Sequence, residues 1–339
     1  MKKALVTGSG GLVGEACVRR LLLDGFEVVG VDNDTRQALF GSEASNKETI
    51  EELTNTYKKY THYSIDIRDR KGLDDIFYPF DLIIHAAAQP SHDWAASNPV
   101  EDFTINANGT LNLLECFRKH CPEATFVYVS TNKVYGDAPN RIEVVEKEFR
   151  YSPIDEVLVD ESMSIDQTLH SLFGVSKTSG DLLTQEYGRY FNLNTVCFRC
   201  GCITGKAHSG VKLHGFLSYL IKCAMEGTPY EVIGYKGKQV RDNIHADDLV
   251  DAFMRFHNNP RVGEVYNMGG GIESNCSVLE AIALVEKLLN FKMTVSYNNQ
   301  SRTGDHRWYI SDLSKFKLHY PNWKITKSIE DIFNEYLSD

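Results

Sequence analysis

The sequence predicts an α/β fold, a doubly wound parallel sheet followed by a smaller C-terminal α/β lobe. Three observations carry that prediction. The chain opens KKALVTGSGGLVG, an apolar run into a glycine-rich turn; it then alternates strand-like and helix-like segments; and its texture changes after Arg199. Such alternation builds a parallel sheet covered by helices, and ligands sit beyond the carboxyl ends of its strands.

The opening stretch organises the rest. Ala4 to Val6 lead to Gly8, Gly11 and Gly14, and Ala16, Val18, Leu21 and Leu22 then recur at helical spacing as far as Asp24. One glycine permits the tight turn, a second lets a pyrophosphate approach the main chain, and a third lets helix pack on strand. The N-terminus of the helix faces the phosphates with unpaired N–H groups. Phe26 to Asp32 is the second strand, and a carboxylate at its end accepts hydrogen bonds from an adenosine ribose and repels a 2′-phosphate, so NAD is favoured over NADP. Gly8, Ser9, Gly10, Gly11, Leu12, Val13 and Gly14, with Asp32 and Asn33, are therefore the expected cofactor-binding residues of a Rossmann half.

Arg36 to Lys59 is polar and without a firm period, an excursion carrying some helix. Thr61 to Ile65 is a third strand, Leu73 to Phe77 a short helix, and Asp81 to Ala86 a fourth strand, apolar on both faces at Leu82 to Ile84 as a buried parallel strand requires. Glu101 to Lys119 has helical spacing, Thr125 to Val129 is a fifth strand, Leu169 to Phe191 a long helix and Thr195 to Arg199 a sixth strand. Gly201 to Gly215 has the Gly, His and Ser content of a loop, and a helix over Phe216 to Glu226 follows. Glu231 to Ile233 and Gln239 to Ile244 read as strands, Asp247 to Phe256 and Val278 to Leu289 as helices. We expect a dinucleotide-binding domain over 1–200, to which later segments return, and a substrate lobe over 201–339, with the active site between them.

Composition narrows the function. With 339 residues, 42% hydrophobic and 24% charged, the chain has the make-up of a globular protein with a large core. A net charge of −10 argues against a nucleic-acid surface. The N-terminus enters a strand at once, and no apolar run reaches the ~18 residues of a membrane span, so no membrane association and a cytoplasmic location are expected. The eight cysteines show no paired metal-ligand or disulfide framework and read as free thiols, with no metal site.

Further motifs carry a resemblance. TGSGGLVG, Asp32, Asp66-Ile67, HAAAQ (His85 to Gln89), TINANGTLNLLE, Ser130-Thr131 before Val134-Tyr135-Gly136, a helix bearing Lys177, and RDNIHADDL (Arg241 to Leu249) fall in the order seen in the extended short-chain dehydrogenase/reductases. The chain resembles the NAD-dependent nucleotide-sugar epimerases and dehydratases of that family from residue 2 to about 335. STNKVYGDAPN, CITGKAHSGVKLHGF and GYKGKQVRDNIH look most like the CDP-paratose 2-epimerases, which make CDP-tyvelose.

The resemblance implies an enzyme that oxidises a sugar carbinol with tightly held NAD, lets the ketone turn and re-reduces it on the other face. It adds Asp66, Ile67, Ala86, Ala87, Ala88, Gln89, Asn106, Val129, Ser130, Lys177 and Cys200 to the cofactor site. Thr131 is the expected hydroxyl that holds the sugar oxygen, and Lys177 the cation that depresses the pKa of a base. Relatives carry that base as Tyr in a Tyr-x-x-x-Lys spacing. This chain has Phe173, which has no proton to exchange: a natural subgroup with its base elsewhere, a Tyr→Phe replacement by design, or lost activity. For the first case His170, Cys202, His208 and His214 are the candidates. Asn132 and Lys133 stand where the dehydratase branch has Asp and Glu, so water elimination is not expected. Gln89, Thr131, Asn132, Lys133, Cys202, His208, His214 and Phe216 are expected at the sugar and nucleotide, Arg241 and Arg302 at the diphosphate, and Asp305 at a ribose hydroxyl. The favoured substrate is a CDP-hexose changed at C2. Another carbon, another nucleotide sugar, or a non-catalytic NAD-binding sensor or scaffold of the same fold are the alternatives. The helices around Ile105 to Lys119 and Leu169 to Phe191 occupy the family's dimer positions, so a homodimer or homotetramer is expected.

Overall fold

A computed structural model describes residues 1–205, 215–301 and 303–338, leaving aside the side chain of Phe40. Its central element is a seven-stranded sheet built from β1 (Lys3–Thr7), β2 (Glu27–Val31), β3 (Tyr60–Tyr63), β4 (Leu82–His85), β5 (Thr125–Thr131), β6 (Asn194–Cys200) and β7 (Glu264–Met268). The spatial order is β7-β6-β5-β4-β1-β2-β3, and the five strands from β5 to β3 pair in parallel. Strand order reverses beside β1, where the glycine turn leaves the sheet, so the architecture is the doubly wound Rossmann-like one expected.

The order follows from burial. β4 is buried along its whole length, and Leu5, Val29, Ile83, Phe126 and Cys197 from five strands meet Leu113, Leu114 and Phe117 in one apolar cluster. The last three lie on the helix Gly109–His120, which the sequence placed in a longer segment from Glu101. That segment is in fact Pro99–Phe103, one wide π-type turn over Thr104–Asn108, and then the helix. Asn106 lies inside the wide turn, where its side chain enters a buried network described below. The excursion after β2 carries two helices, Thr35–Phe40 and Lys47–Thr56, and the long helix runs Ser171–Phe191.

The chain divides into two compact units, one of 1–131, 172–199 and 249–266, the other of 132–171, 200–248 and 267–339. The second has its own sheet, in which Val240–His245 pairs with Asn275–Ser277 antiparallel and with Trp308–Tyr309 and Cys202–Thr204 in parallel. A cluster of Leu217, Leu220, Ile221, Val232, Ile282 and Phe333 forms its core. Phe216, half-buried, starts the helix Phe216–Glu226 and packs against that cluster. No described helix is long and apolar enough to cross a membrane.

Candidate active site

In the first unit the glycine turn is built as a phosphate cradle needs. Gly8 has φ +69°, and a Cβ there would meet the Ala87 nitrogen at 2.8 Å, so both conformation and space require glycine. A Cβ on Gly14 would fall 1.9 Å from the Gly8 carbonyl oxygen, which closes helix onto strand. At Gly11 the nearest atom is at 3.5 Å, and no side chain caps the helix Leu12–Leu23 that Gly11 opens. Leu12 and Val13 therefore begin a helix whose first N–H groups face an open side, an arrangement that suits a pyrophosphate. Asp32 is buried; its Oδ2 accepts from Gly10 N at 3.0 Å and Asn46 Nδ2 at 3.2 Å, and its Oδ1 from Asp34 N at 2.8 Å. An ionised carboxylate has about four acceptor positions, so capacity remains for a ribose hydroxyl. These features fit NAD.

Not every expected cofactor residue offers its side chain. The Ser9 hydroxyl accepts from Tyr60 Oη at 3.0 Å, wedged against Gly30, where a Cβ would lie 2.2 Å from the Tyr60 oxygen. Gln89 is fully buried: Nε2 donates to Ser91 O at 2.9 Å and Asp102 Oδ1 at 2.7 Å, while Oε1 accepts from Ser91 N. Asn106 Oδ1 accepts from Gln89 N at 2.9 Å, and its Nδ2 lies 3.0 Å from Gln89 O, Asp102 Oδ1 and Ser176 Oγ. Ser130 Oγ donates to Asp181 at 2.6 Å. Burying an amide or hydroxyl unpaired is costly, and these four satisfy their polar groups inside the protein. In this structure their side-chain polar groups are engaged within the protein, and those of Gln89, Asn106 and Ser130 hold the loops after β4 and β5.

The remaining residues of that site lie at strand ends or on loops. Asn33 Nδ2 donates to Asp66 at 3.2 Å, and Asp66 is gripped by Arg68 through Nε and Nη2. Burial opposes ionisation of Asp66, yet the hydrogen bonds from Arg68 hold its carboxyl below the usual range. Ile67 is buried under Gly109, whose Cβ would fall 2.5 Å from it. Ala86 N donates to Thr7 O at 3.2 Å and Ala87 N to Thr7 Oγ1 at 3.3 Å, so the chain through Ala88 leaves β4 on a fixed path.

Thr131 ends β5, half-buried, and Cys200, buried, ends β6. Lys177 is buried on the long helix; its Nζ donates to Val129 O at 2.8 Å and lies 4.3 Å from the Tyr128 ring centre. Carbonyl and ring face together favour the ammonium form, which has no lone pair to take a proton. One turn earlier Phe173 is buried, and its ring packs on His92 with centroids 4.8 Å apart and planes at 57°. The sequence reading did not single out His92. The available signal was its place just after HAAAQ, beyond the carboxyl end of β4.

In the second unit three charged side chains converge. Arg241 Nη2 donates to Asp305 Oδ1 at 2.5 Å, and Lys133 Nζ lies 3.4 Å from the same oxygen and 3.1 Å from Gly304 O. Burial opposes ionisation of Asp305, but Arg241 and then Lys133 override it and hold the carboxyl well below the ordinary carboxylate range. Burial also lowers the Lys133 ammonium, against the pull of Asp305. The cluster has two cations for one carboxylate, a net positive charge with hydrogen-bond donors. Asn132 is buried at the start of the turn Asn132–Tyr135. Arg302, His208 and His214 lie outside the described residues.

Two expected bases do not suit the task. Burial pushes the Cys202 thiol up to about 11, so it is protonated at neutral pH. His170 Nε2 lies 2.8 Å from Val134 O, which can only accept, so that nitrogen carries the proton. Its Nδ1 lies 3.2 Å from Thr168 Oγ1 and 3.1 Å from Thr168 O, so both ring nitrogens are engaged within the protein. His170 fastens one loop of its unit, and Cys202 is a partly buried thiol that keeps its proton.

A glycine turn opening the first helix, a buried carboxylate at the end of β2 and a buried helical lysine are the arrangement of a dinucleotide-dependent enzyme. The chain belongs to the NAD dependent epimerase/dehydratase family, whose model matches residues 4–269, and its cofactor is NAD. It is 32% identical over 323 residues to the CDP-paratose 2-epimerase of Salmonella typhi, covering 92% of each chain. It is 31% identical to a dTDP-glucose 4,6-dehydratase of Neisseria meningitidis, covering 94% of this chain and 87% of that one. Among solved structures, a tyrosine-to-phenylalanine mutant of the UDP-glucuronic acid 4-epimerase of Bacillus cereus superposes with a TM-score of 0.82 at 24% identity, over 99% of both chains. The UDP-glucose 4-epimerase of Bifidobacterium longum does so with a TM-score of 0.80, also at 24%, over 99% of this chain and 97% of that one. At those identities the structural likeness is one of fold.

Proposed function

We propose that the protein is an NAD-dependent nucleotide-sugar epimerase acting at C2 of a CDP-hexose, of the CDP-paratose to CDP-tyvelose type. The observation that carries the nucleotide-sugar part is the partly buried cluster of Arg241, Lys133 and Asp305, two cations on one carboxylate. Such a cluster offers positive charge and hydrogen-bond donors, and a diphosphate suits it by bidentate pairing with the guanidinium. Arg302 is the second diphosphate ligand in this reading. The CDP and C2 assignments rest on the 32% identity over 92% of both chains to a CDP-paratose 2-epimerase. An amide and an ammonium at Asn132 and Lys133, where the dehydratase branch has an acid–base pair, separate this chain from water elimination.

Bound NAD would supply the hydride acceptor and donor for the sugar carbon. The chain's own residues do the rest. Gly8 to Gly14 hold the pyrophosphate and Asp32 the adenosine ribose. Lys177 binds the nicotinamide ribose and supplies the positive charge that eases removal of the carbinol proton, and Thr131 donates a hydrogen bond to the sugar oxygen. Incubating the protein with CDP-, UDP-, dTDP- and GDP-hexoses and following C2 by NMR should show epimer formation fastest with a CDP-hexose. Turnover of another nucleotide or carbon moves the substrate. No turnover with any of them leaves a non-catalytic NAD-binding module, the reading that Phe173 alone recommends.

The protein is further proposed to be a homo-oligomer. Leu172, Val175, Leu182 and Phe191 on the long helix, and Leu111 and Phe103 on the segment before it, are exposed apolar side chains within one unit. Two helices that leave so much apolar surface in water suit a partner copy. Light scattering at micromolar concentration is expected to give at least twice the 38.3 kDa of one chain, and a monomeric mass refutes it.

A further inference from the structure

We infer that His92 is the proton acceptor that replaces the missing tyrosine. This rests on the epimerase reading above, which needs a base that Phe173 cannot be. The imidazole lies against the ring in the tyrosine slot, with 4.8 Å between centroids. It stands in the first turn of the helix His92–Ser97, whose N-cap Ser91 accepts from Trp94 N at 3.2 Å. That cap hangs on the buried Gln89–Asp102–Asn106 network, because Gln89 takes both N and O of Ser91. The histidine is thus carried on a rigid mount, as a group in proton transfer must be. It is half-buried, in the same unit as Thr131, Lys177 and the glycine cradle.

The other described candidates are weaker on chemistry. Cys202 keeps its proton, both ring nitrogens of His170 are hydrogen-bonded within the protein, and Lys177 is held as an ammonium. An imidazole is the side chain whose chemistry suits proton transfer at neutral pH. In the step itself the carbinol O–H bond breaks and its proton goes to His92. The C–H bond breaks and its hydrogen leaves with the electron pair as hydride, which bound NAD would accept, and the C=O bond forms. On return the hydride would come back to the carbon on the opposite face, the C=O bond reopens and the oxygen regains the proton from the imidazolium.

The network around Gln89 acquires a purpose in this reading. It is an investment of buried amides and carboxyl at the loop after β4, and what it holds still is the segment that ends in His92. Phe173 then serves as the wall of the imidazole's pocket and fixes the ring plane.

The test uses the full chain with its bound NAD. His92→Gln keeps size and polarity but cannot accept a proton, and should lower kcat at least about 100-fold. KM should stay within about threefold and NAD content after heat release should match the parent. His92→Ala should lose as much. Adding Phe173→Tyr to His92→Gln should restore turnover at least tenfold, since a phenol four residues before Lys177 resumes the task. His92→Gln turning over within threefold of the parent overturns the assignment, as does a loss matched by an equal loss of bound NAD. A parent chain that turns over no nucleotide sugar overturns the epimerase reading, and this inference with it. A parent that epimerises while His92→Gln does so equally overturns this inference alone.

Discussion

Replacing Lys177 by methionine is expected to lower kcat by about 10²–10³-fold, the loss typical when a preorganised positive or hydrogen-bonding group is removed from a reaction centre. Methionine keeps the unbranched stem, so the packing beside Tyr128 survives and the change isolates the charge. Val129 O loses the donor it holds at 2.8 Å, and a hydrogen bond to a charged group contributes about 1.5–3 kcal/mol. A modest fall in melting temperature should therefore accompany the kinetic effect. Lys177→Arg should fail to rescue, because a planar guanidinium cannot replace a compact ammonium seated between a carbonyl and a ring face. The measurement is C2 epimerisation followed by NMR at saturating substrate. Lys177→Met retaining turnover within tenfold of the parent would remove this lysine from the mechanism.

Much of the first unit was legible because its constraints are local. A glycine turn, an apolar run on each side and a carboxylate at the end of β2 specify strand, helix and ribose acceptor together, and Gly8 and Gly14 prove irreplaceable for steric reasons at those positions. What was not legible depends on distant partners. Nothing beside Gly30 announces that Tyr60 and Ser9 occupy the space a side chain would take. Gln89 and Asn106 look like ligands in a linear reading because amides on loops often are, yet each bonds the other across a separation of 17 positions. The wide turn at Thr104–Asn108 has no sequence signal, and it is what carries Asn106 into that network. β7 was missed because EVYNM is short, and its place at the sheet edge is set by a neighbour far away in sequence. His92 escaped for a similar reason, since its importance comes from a ring contact with Phe173, on another element.

Arg199→Met should be the most destabilising single change in the first unit. Asp181 is fully buried and accepts from Arg199 Nη2 at 2.8 Å and Nε at 3.2 Å, from Ser130 Oγ at 2.6 Å and from Gln185 Nε2 at 2.6 Å. Without the guanidinium a carboxylate remains in the core with no counter-charge, which costs about 3–5 kcal/mol. At about 2–4 °C per kcal/mol in chains of this order, the melting temperature should fall by roughly 10 °C. The pair as a whole is a different matter, because two desolvated charges cancel much of what they gain. Asp181→Leu combined with Arg199→Met should therefore be markedly more stable than Arg199→Met alone. The double change also frees Ser130 from its acceptor, and Ser130 precedes Thr131 at the end of β5. Turnover in the double variant should then drop even where stability has returned, because the hydroxyl of Thr131 sits on a strand end no longer anchored from below. Thermal melts of the three proteins, read beside their rates, separate the two effects. Equal melting temperatures for the single and double variants would show that the buried charge is not what the arginine offsets.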